Sequence, residues 1–199
     1  MSFSPKCTLS DSELWSNFRV GDRECYTLLI NRYTGLLYRY GIRFNQNDDF
    51  IKDCIQDVFL ALWDSRENIS QTPSVKSYLF KALRLKIFRE QSKWNNEELF
   101  SDEHYDFLIE FNIEDRLIEE QQSHETRDKL LQVLNRLPKR QKEVLYLRFY
   151  ENLDHARIAG IMGLNKQSVY NLLHESVSNL RKAWLGEMAL LLSLLSRCI

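Results

Sequence analysis

Residues 155–174 read HARIAGIMGLNKQSVYNLLH. Two helices that cross closely need an apolar residue followed by a small one at the crossing. They also need a residue tolerant of positive φ at the turn, and apolar positions along the inner side of the second helix. Ile158 and Ala159 supply the crossing, Met162, Gly163 and Leu164 the turn, and Asn165 a side-chain oxygen to cap the second helix. Val169, Leu172 and Leu173 fall on the inner side, and Val177 and Leu180 continue that seam. The pattern predicts a helix-turn-helix rather than a generic helical hairpin. Its second helix turns Lys166, Gln167, Tyr170, Asn171, His174, Ser178 and Arg181 outward, and Ser168, near its start, joins the DNA-contacting candidates. Gln and Asn match adenine edges, and Lys matches guanine acceptors or a phosphate. The N-terminal half of such a helix enters the major groove most deeply. Lys166, Gln167, Tyr170 and Asn171 are therefore the base-reading candidates, while His174 and Arg181 suit phosphate.

Upstream, Leu137-Pro138 opens another helix, with Pro138 in its first turn. Lys139, Arg140 and Lys142 cluster near its start, against the preference of the helix dipole. That placement fits either a phosphate contact or a solvated surface.

The N-terminal half reads as further helices. Ser10 and Glu13 have the spacing of a capping box. Asp22 is placed to cap a second helix, and Asp48 or Asp49 a third. In that third helix, about residues 50–63, Ile51, Cys54, Ile55, Val58, Phe59 and Leu62 share one face. Asp53, Gln56, Asp57 and Leu60 share another, at i, i+3, i+4, i+7 spacing. That spacing fits a solvated acidic face as well as a docking surface for a partner helix. After Pro73, Ser74 or Ser77 starts a helix to about Trp94. Leu79, Phe80, Leu83 and Ile87 form its apolar side, while Lys81, Arg84, Lys86, Arg89 and Lys93 spread over the other. Leu85 and Phe88 interrupt this basic arc, either to pack on a neighbouring helix or to touch unstacked bases.

The basic and acidic totals nearly cancel, at 27 Lys plus Arg against 28 Asp plus Glu, which excludes a uniformly basic nucleic-acid binder. The charge is instead segregated. Residues 96–125 carry eleven acids against one basic residue, Arg116, and read as a linker. Within it Phe107, Leu108, Ile109, Phe111 and Ile113 are candidates to dock on a domain. The expected architecture is all-α: two small helical domains, 10–95 and 126–185, joined by the acidic linker 96–125 and followed by an apolar extension, 186–199. Four isolated cysteines and four scattered histidines show no metal-ligand spacing, so neither metal nor disulfide framework nor any cofactor is called for. No apolar signal region and no membrane-length apolar run is evident, which makes the cytoplasm the default compartment.

These residues resemble a known family. Residues 137–182, from LPKRQKEVLYLRFY to NLLHESVSNLRK, look like the DNA-binding fourth region of extracytoplasmic-function sigma factors. FIKDCIQDVFLALW, 50–63, resembles their second region, and SVKSYLFKALRLKIFRE, 74–90, the helix after it. The resemblance implies that Asp53, Gln56, Asp57 and Leu60 bind core RNA polymerase. It implies that Lys81, Arg84, Lys86 and Arg89 engage the −10 element of promoter DNA. The outward residues of the second motif helix would read the −35 element. It further implies control by an anti-sigma factor; the lack of a membrane-length apolar run implies no direct membrane insertion. Leu85 and Arg89 depart from the family's usual Asn and Asp, and Arg157 from a frequent Glu, so the promoter sequence does not carry over. The rival reading is a free-standing helix-turn-helix regulator that dimerises on two half-sites. An enzyme with an appended helix-turn-helix finds no Gly-rich phosphate loop, nucleophile–base set or metal cluster in the sequence.

Overall fold

The computed structural model describes residues 9–95, 105–109 and 130–195, with side chains described in 9–93, 105–109 and 130–184. Every regular element among the described residues is helical. These residues divide into two compact units, one reaching to Asp106 and the other starting at Phe107.

The first unit contains α1 (Asp11–Arg19), α2 (Arg23–Gly41), α3 (Asp48–Asp64) and α4 (Val75–Asn95). Each helix starts where a side chain replaces a missing backbone partner. Ser10 and Glu13 form the capping box on α1. Asp22 accepts from the backbone N–H groups of Glu24 and Cys25. Ser74 Oγ accepts from Ser77 N at 3.2 Å. At α3 the capping expectation is corrected. Asn47, not Asp48 or Asp49, accepts from Phe50 N at 3.1 Å. The two aspartates occupy the first turn instead, where the positive end of the dipole favours them.

The core of this unit is aromatic and aliphatic. Trp15, Phe18, Leu37, Tyr40, Ile51, Leu79, Phe80, Leu83 and Ile87 are fully buried, and burying each such side chain contributes roughly 1.5–3 kcal/mol. Tyr40 and Phe80 stack at 4.7 Å and 22°. Polar edges find partners inside the core: Trp15 Nε1 donates to Ser70 O at 3.2 Å, and Tyr26 OH to Phe59 O at 2.8 Å. The α2 helix runs unbroken through Gly35. Gly41, at its end, is needed for space, because a Cβ there would lie 2.8 Å from Ile51 Cγ2. Gly41→Ala should therefore destabilise the unit by about 0.5–2 kcal/mol, overpacking outweighing the gain in helix propensity. Thermal unfolding checks this; an unchanged or raised midpoint would show that Ile51 yields freely.

In the second unit, helical residues 130–135 precede α5 (Lys139–Leu145), a π-helical turn (Tyr146–Tyr150), α6 (His155–Met162) and α7 (Lys166–Leu195). Pro138 precedes α5 without a side-chain cap. Lys142, expected near the basic start of α5, is buried, and its ammonium donates to Asn135 O at 3.5 Å. The π-helical turn closes with Glu151 N donating to Tyr146 O, and Tyr146 OH donates to the buried Glu151 carboxylate at 2.6 Å. From the expected linker, Phe107 and Ile109 are buried and Leu108 half-buried. Phe107 lies edge-on to Tyr146 at 5.8 Å. Ile109 exchanges two backbone hydrogen bonds with the Asn135 amide, each 2.9 Å. Phe111 and Ile113 lie outside the described residues. The α7 helix continues unbroken into the apolar extension, to Leu195. The side chains from 185 onward and residues 196–199 lie outside the described residues.

Candidate nucleic-acid and docking interfaces

The α3 helix separates its two faces as the spacing predicts. Ile51, Cys54, Ile55, Val58, Phe59 and Leu62 are buried, and Asp53, Gln56, Asp57 and Leu60 are exposed. Leu60 is 52% exposed, although a leucine is ordinarily a core residue. Gln56 and Leu60 also line a cleft of about 570 Å³ with Tyr26, Ile30, Thr34, Gly35 and Tyr38 of α2. The α2 half of that surface escaped the sequence reading. Burial pushes the thiol of Cys54, on the inner face, up to about 11.

Asp57 is not a free acid. Its Oδ2 lies 2.6 Å from Lys86 Nζ on α4, and Lys86 is held on its other side by Glu90 at 2.9 Å. Glu90 also binds Lys93 at 2.9 Å. Hydrogen bonds donated to Asp57 and Glu90 make the Lys86 ammonium hold its proton more tightly, and Lys86, with Lys93, depresses the proton affinity of Glu90. The pair is half exposed, so it is worth at most about 1 kcal/mol.

The four cations expected to form one face of α4 are distributed differently. Lys81 and Arg89 are exposed, and with the 40% exposed Leu85 between them they make an i, i+4, i+8 stripe. Lys86 turns toward α3 to meet Asp57. Arg84 is 4% exposed, with its guanidinium 4.4 Å from the Phe88 ring centre and 5.7 Å from that of Tyr105. Tyr105, itself buried, stands 4.9 Å from Phe88 and 5.5 Å from Phe44. The sequence reading did not single out Tyr105, because it lies outside any periodic segment.

In the second unit the predicted turn is present. Ile158 is fully buried, Ala159 nearly so, and Gly163 has φ +67°. Only a residue without a Cβ takes that conformation cheaply. Leu164 N donates to Ala159 O at 3.0 Å, and Asn165 Oδ1 accepts from Ser168 N at 2.7 Å. Val169 and Leu173 continue the buried seam, but Val177 does not; it is exposed. Ser176 takes its place, fully buried, because its hydroxyl is satisfied by Leu172 O at 2.6 Å. Lys166, Gln167, Tyr170, Asn171, His174 and Arg181 are exposed and Ser168 half-buried. Gln167 Nε2 donates to Asn171 Oδ1 at 3.0 Å, which aligns the two amides on one face. Tyr170, His174, Val177 and Arg181 also border a cleft of about 480 Å³ with Arg148, Phe149 and His155. The exposed Phe149 belongs to the π-helical turn, which no sequence period marks.

Among the described residues, no helix is long and apolar enough to cross a membrane, and no group of three His, Cys, Asp or Glu is placed to hold a metal ion.

Residues 29–94 match the family model described as Sigma-70 region 2, and residues 127–180 that of Sigma-70, region 4. Curated relatives include the RNA polymerase sigma factor SigV of Bacillus subtilis (strain 168). It is 26% identical over 147 residues, covering 72% of this chain and 81% of that protein. The ECF RNA polymerase sigma-E factor of Haemophilus influenzae (strain ATCC 51907 / DSM 11121 / KW20 / Rd) is 26% identical over 164 residues, 77% and 84% of the two chains. In fold the chain is similar to CnrH, solved in complex with the cytosolic domain of CnrY (TM-score 0.58, 15% identity, covering 88% of this chain and 97% of that one). It is also similar to RpoE from Bartonella quintana, solved with the anti-sigma factor NepR (TM-score 0.57, 15% identity, covering 80% and 96%).

Proposed function

The chain belongs to the extracytoplasmic-function sigma factors, and from that membership we propose how its two units divide the work of promoter-specific transcription initiation. The first unit docks on core RNA polymerase through Asp53, Gln56, Asp57 and Leu60 of α3, with the α2 side of the adjoining cleft receiving part of the partner. The Lys81–Leu85–Arg89 stripe of α4 faces the −10 element. The second unit reads the −35 element with Lys166, Gln167, Tyr170 and Asn171, while Ser168, His174 and Arg181 hold the backbone. The acidic residues between the units join the two functions. The chain supplies no catalysis of its own, since the polymerase makes the phosphodiester bonds. It works where the polymerase is, in the cytoplasm, and an anti-sigma factor covers its docking surfaces until they are needed.

What carries the reading is that both family segments occur in one chain and in order, at 29–94 and 127–180. A lone helix-turn-helix regulator has no use for the first. The test is a gel shift on promoter DNA with and without core polymerase. The proposal expects a shift only when both proteins are present. A tight shift by the free protein, as a dimer on paired half-sites, would favour the rival regulator.

Asn171 gives a second test. If its amide makes a bidentate contact with one adenine, Asn171→Ala should cost about 1–3 kcal/mol at a single −35 position and relax the preference there. Holoenzyme binding to a panel of singly substituted promoters reads this. An equal loss on every sequence would place the amide on the phosphate backbone instead.

A further inference from the structure

Gln167 and Asn171 are both exposed, four residues apart on one face of α7, and Gln167 Nε2 donates to Asn171 Oδ1 at 3.0 Å. Side chains at that spacing are neighbours on a helix surface. The bond fixes the direction of both amides. Each amide has an oxygen at one corner and an NH2 at the other. Turning Gln167 over alone would set oxygen against oxygen. Turning Asn171 over alone would set NH2 against NH2. Either way the bond is lost.

The bond leaves a matching set of groups over. Gln167 keeps Oε1 and its second N–H. Asn171 keeps both N–H groups and one lone pair on Oδ1. Each amide therefore still presents an acceptor beside a donor, the complement of the adenine N6–H and N7 pair in the major groove. Guanine shows only acceptors on that edge, O6 and N7, and meets the fixed oxygens unfavourably. The 3.0 Å separation also suits neighbouring bases, which follow one another at about 3.4 Å along a strand.

The side chains around the pair are occupied elsewhere. Asn165 Oδ1 accepts from Ser168 N as the helix cap. The Tyr170 ring stands 6.2 Å from that of His155 on α6. Across the same turn, the Asp154 carboxyl is held below its usual range, first by the Arg157 backbone N–H and further by the Arg157 and Lys166 charges.

We propose that Gln167 and Asn171 form one reading unit, in which Gln167 positions the Asn171 amide, and that the unit selects two adjacent adenines of the −35 element over guanine. This rests on the assignment of α7 to the −35 element. Between exposed amides in water such a bond is weak. It strengthens when DNA closes over it and water leaves. The lock therefore acts in the complex, where it makes the two positions depend on one another.

The experiment compares polymerase holoenzymes carrying the unaltered chain or a variant, on promoters in which each −35 base pair is replaced singly. The quantity read is the adenine-over-guanine preference at each position, so that a uniform loss of affinity cancels. The unaltered chain should show two adjacent positions, each preferring adenine roughly tenfold to a hundredfold. Asn171→Ala identifies which of the two belongs to Asn171. Gln167→Ala should abolish the preference at the other position and lower that at Asn171's own by about threefold to thirtyfold. Gln167→Glu keeps the size but can only accept. It should turn the Asn171 amide over and cost that position at least as much as Gln167→Ala does. A role of bulk alone would leave Gln167→Glu like the unaltered chain there. Full preference at Asn171's position in both Gln167 variants, or guanine accepted as well as adenine by the unaltered chain, overturns the proposal. Holoenzyme formation is measured on the same preparations. If holoenzyme forms and selects a −35 sequence while the two positions are independent, only the lock fails. If none forms, the sigma-factor reading fails and the lock with it.

Discussion

Asp57→Arg combined with Gln56→Ala should weaken capture of core RNA polymerase by about thirtyfold to a thousandfold, the equivalent of roughly 2–4 kcal/mol, with the first unit still folded. The two residues sit one turn apart from Asp53 and Leu60 on the exposed face of α3. Reversing a charge at the centre of a docking surface removes one contact and adds a repulsion, and the Gln truncation leaves a partner group unpaired. The cost to folding is far smaller. Asp57 pairs with Lys86 in a half-exposed geometry, and such pairs contribute at most about 1 kcal/mol. Lys86→Met is the control, because it breaks the same ion pair while leaving all four docking residues in place. If Lys86→Met lowers capture as far as the double variant, the acids act by positioning α4 and not by touching polymerase. Quantitative pull-down and the thermal midpoint separate these outcomes.

Ile158→Ala is the second large effect. Ile158 is fully buried just before the turn, and Val169, beyond it, is fully buried as well. Truncating a buried isoleucine opens a cavity costing about 2–4 kcal/mol. Against a total of only about 5–15 kcal/mol for a small domain, that is a large fraction. The second unit should melt early and lose its −35 preference. The first unit should keep its own transition and still capture polymerase. Hydrogen exchange across residues 155–180 reads the first effect, and pull-down the second. Retained protection in 155–180 would mean that the crossing does not depend on this side chain.

Much of this layout was readable beforehand because it depends on local chemistry. A capping box needs only Ser10 and Glu13 three residues apart. The two faces of α3 follow from helical spacing, and the α6–α7 turn needs at position 163 a residue tolerant of positive φ, which Gly is. What escaped depends on neighbours. Stepping around α4 places Arg84 and Lys86 with Lys81 and Arg89, but one is drawn beneath aromatic rings and the other across to Asp57. No single-helix projection contains those partners. Ser176 displaced Val177 from the seam because its hydroxyl bonds back to Leu172, which makes a polar residue cheap to bury. Asn47 outcompeted two aspartates as a cap because the chain enters α3 one residue earlier than their order suggests. Tyr105 and Phe149 lie outside α-helical periodicity, so a search for repeating apolar faces passes over both.

The two-unit account stands or falls on initiation itself. Purified core polymerase should be given a genomic promoter library, with and without this protein, and the transcript starts mapped. The account predicts starts at a limited set of promoters sharing −10 and −35 elements, dependent on the added chain and abolished by the Asp57→Arg, Gln56→Ala pair. Core enzyme that gains no new starts from the unaltered protein, and does not retain it on a column, would contradict the account outright.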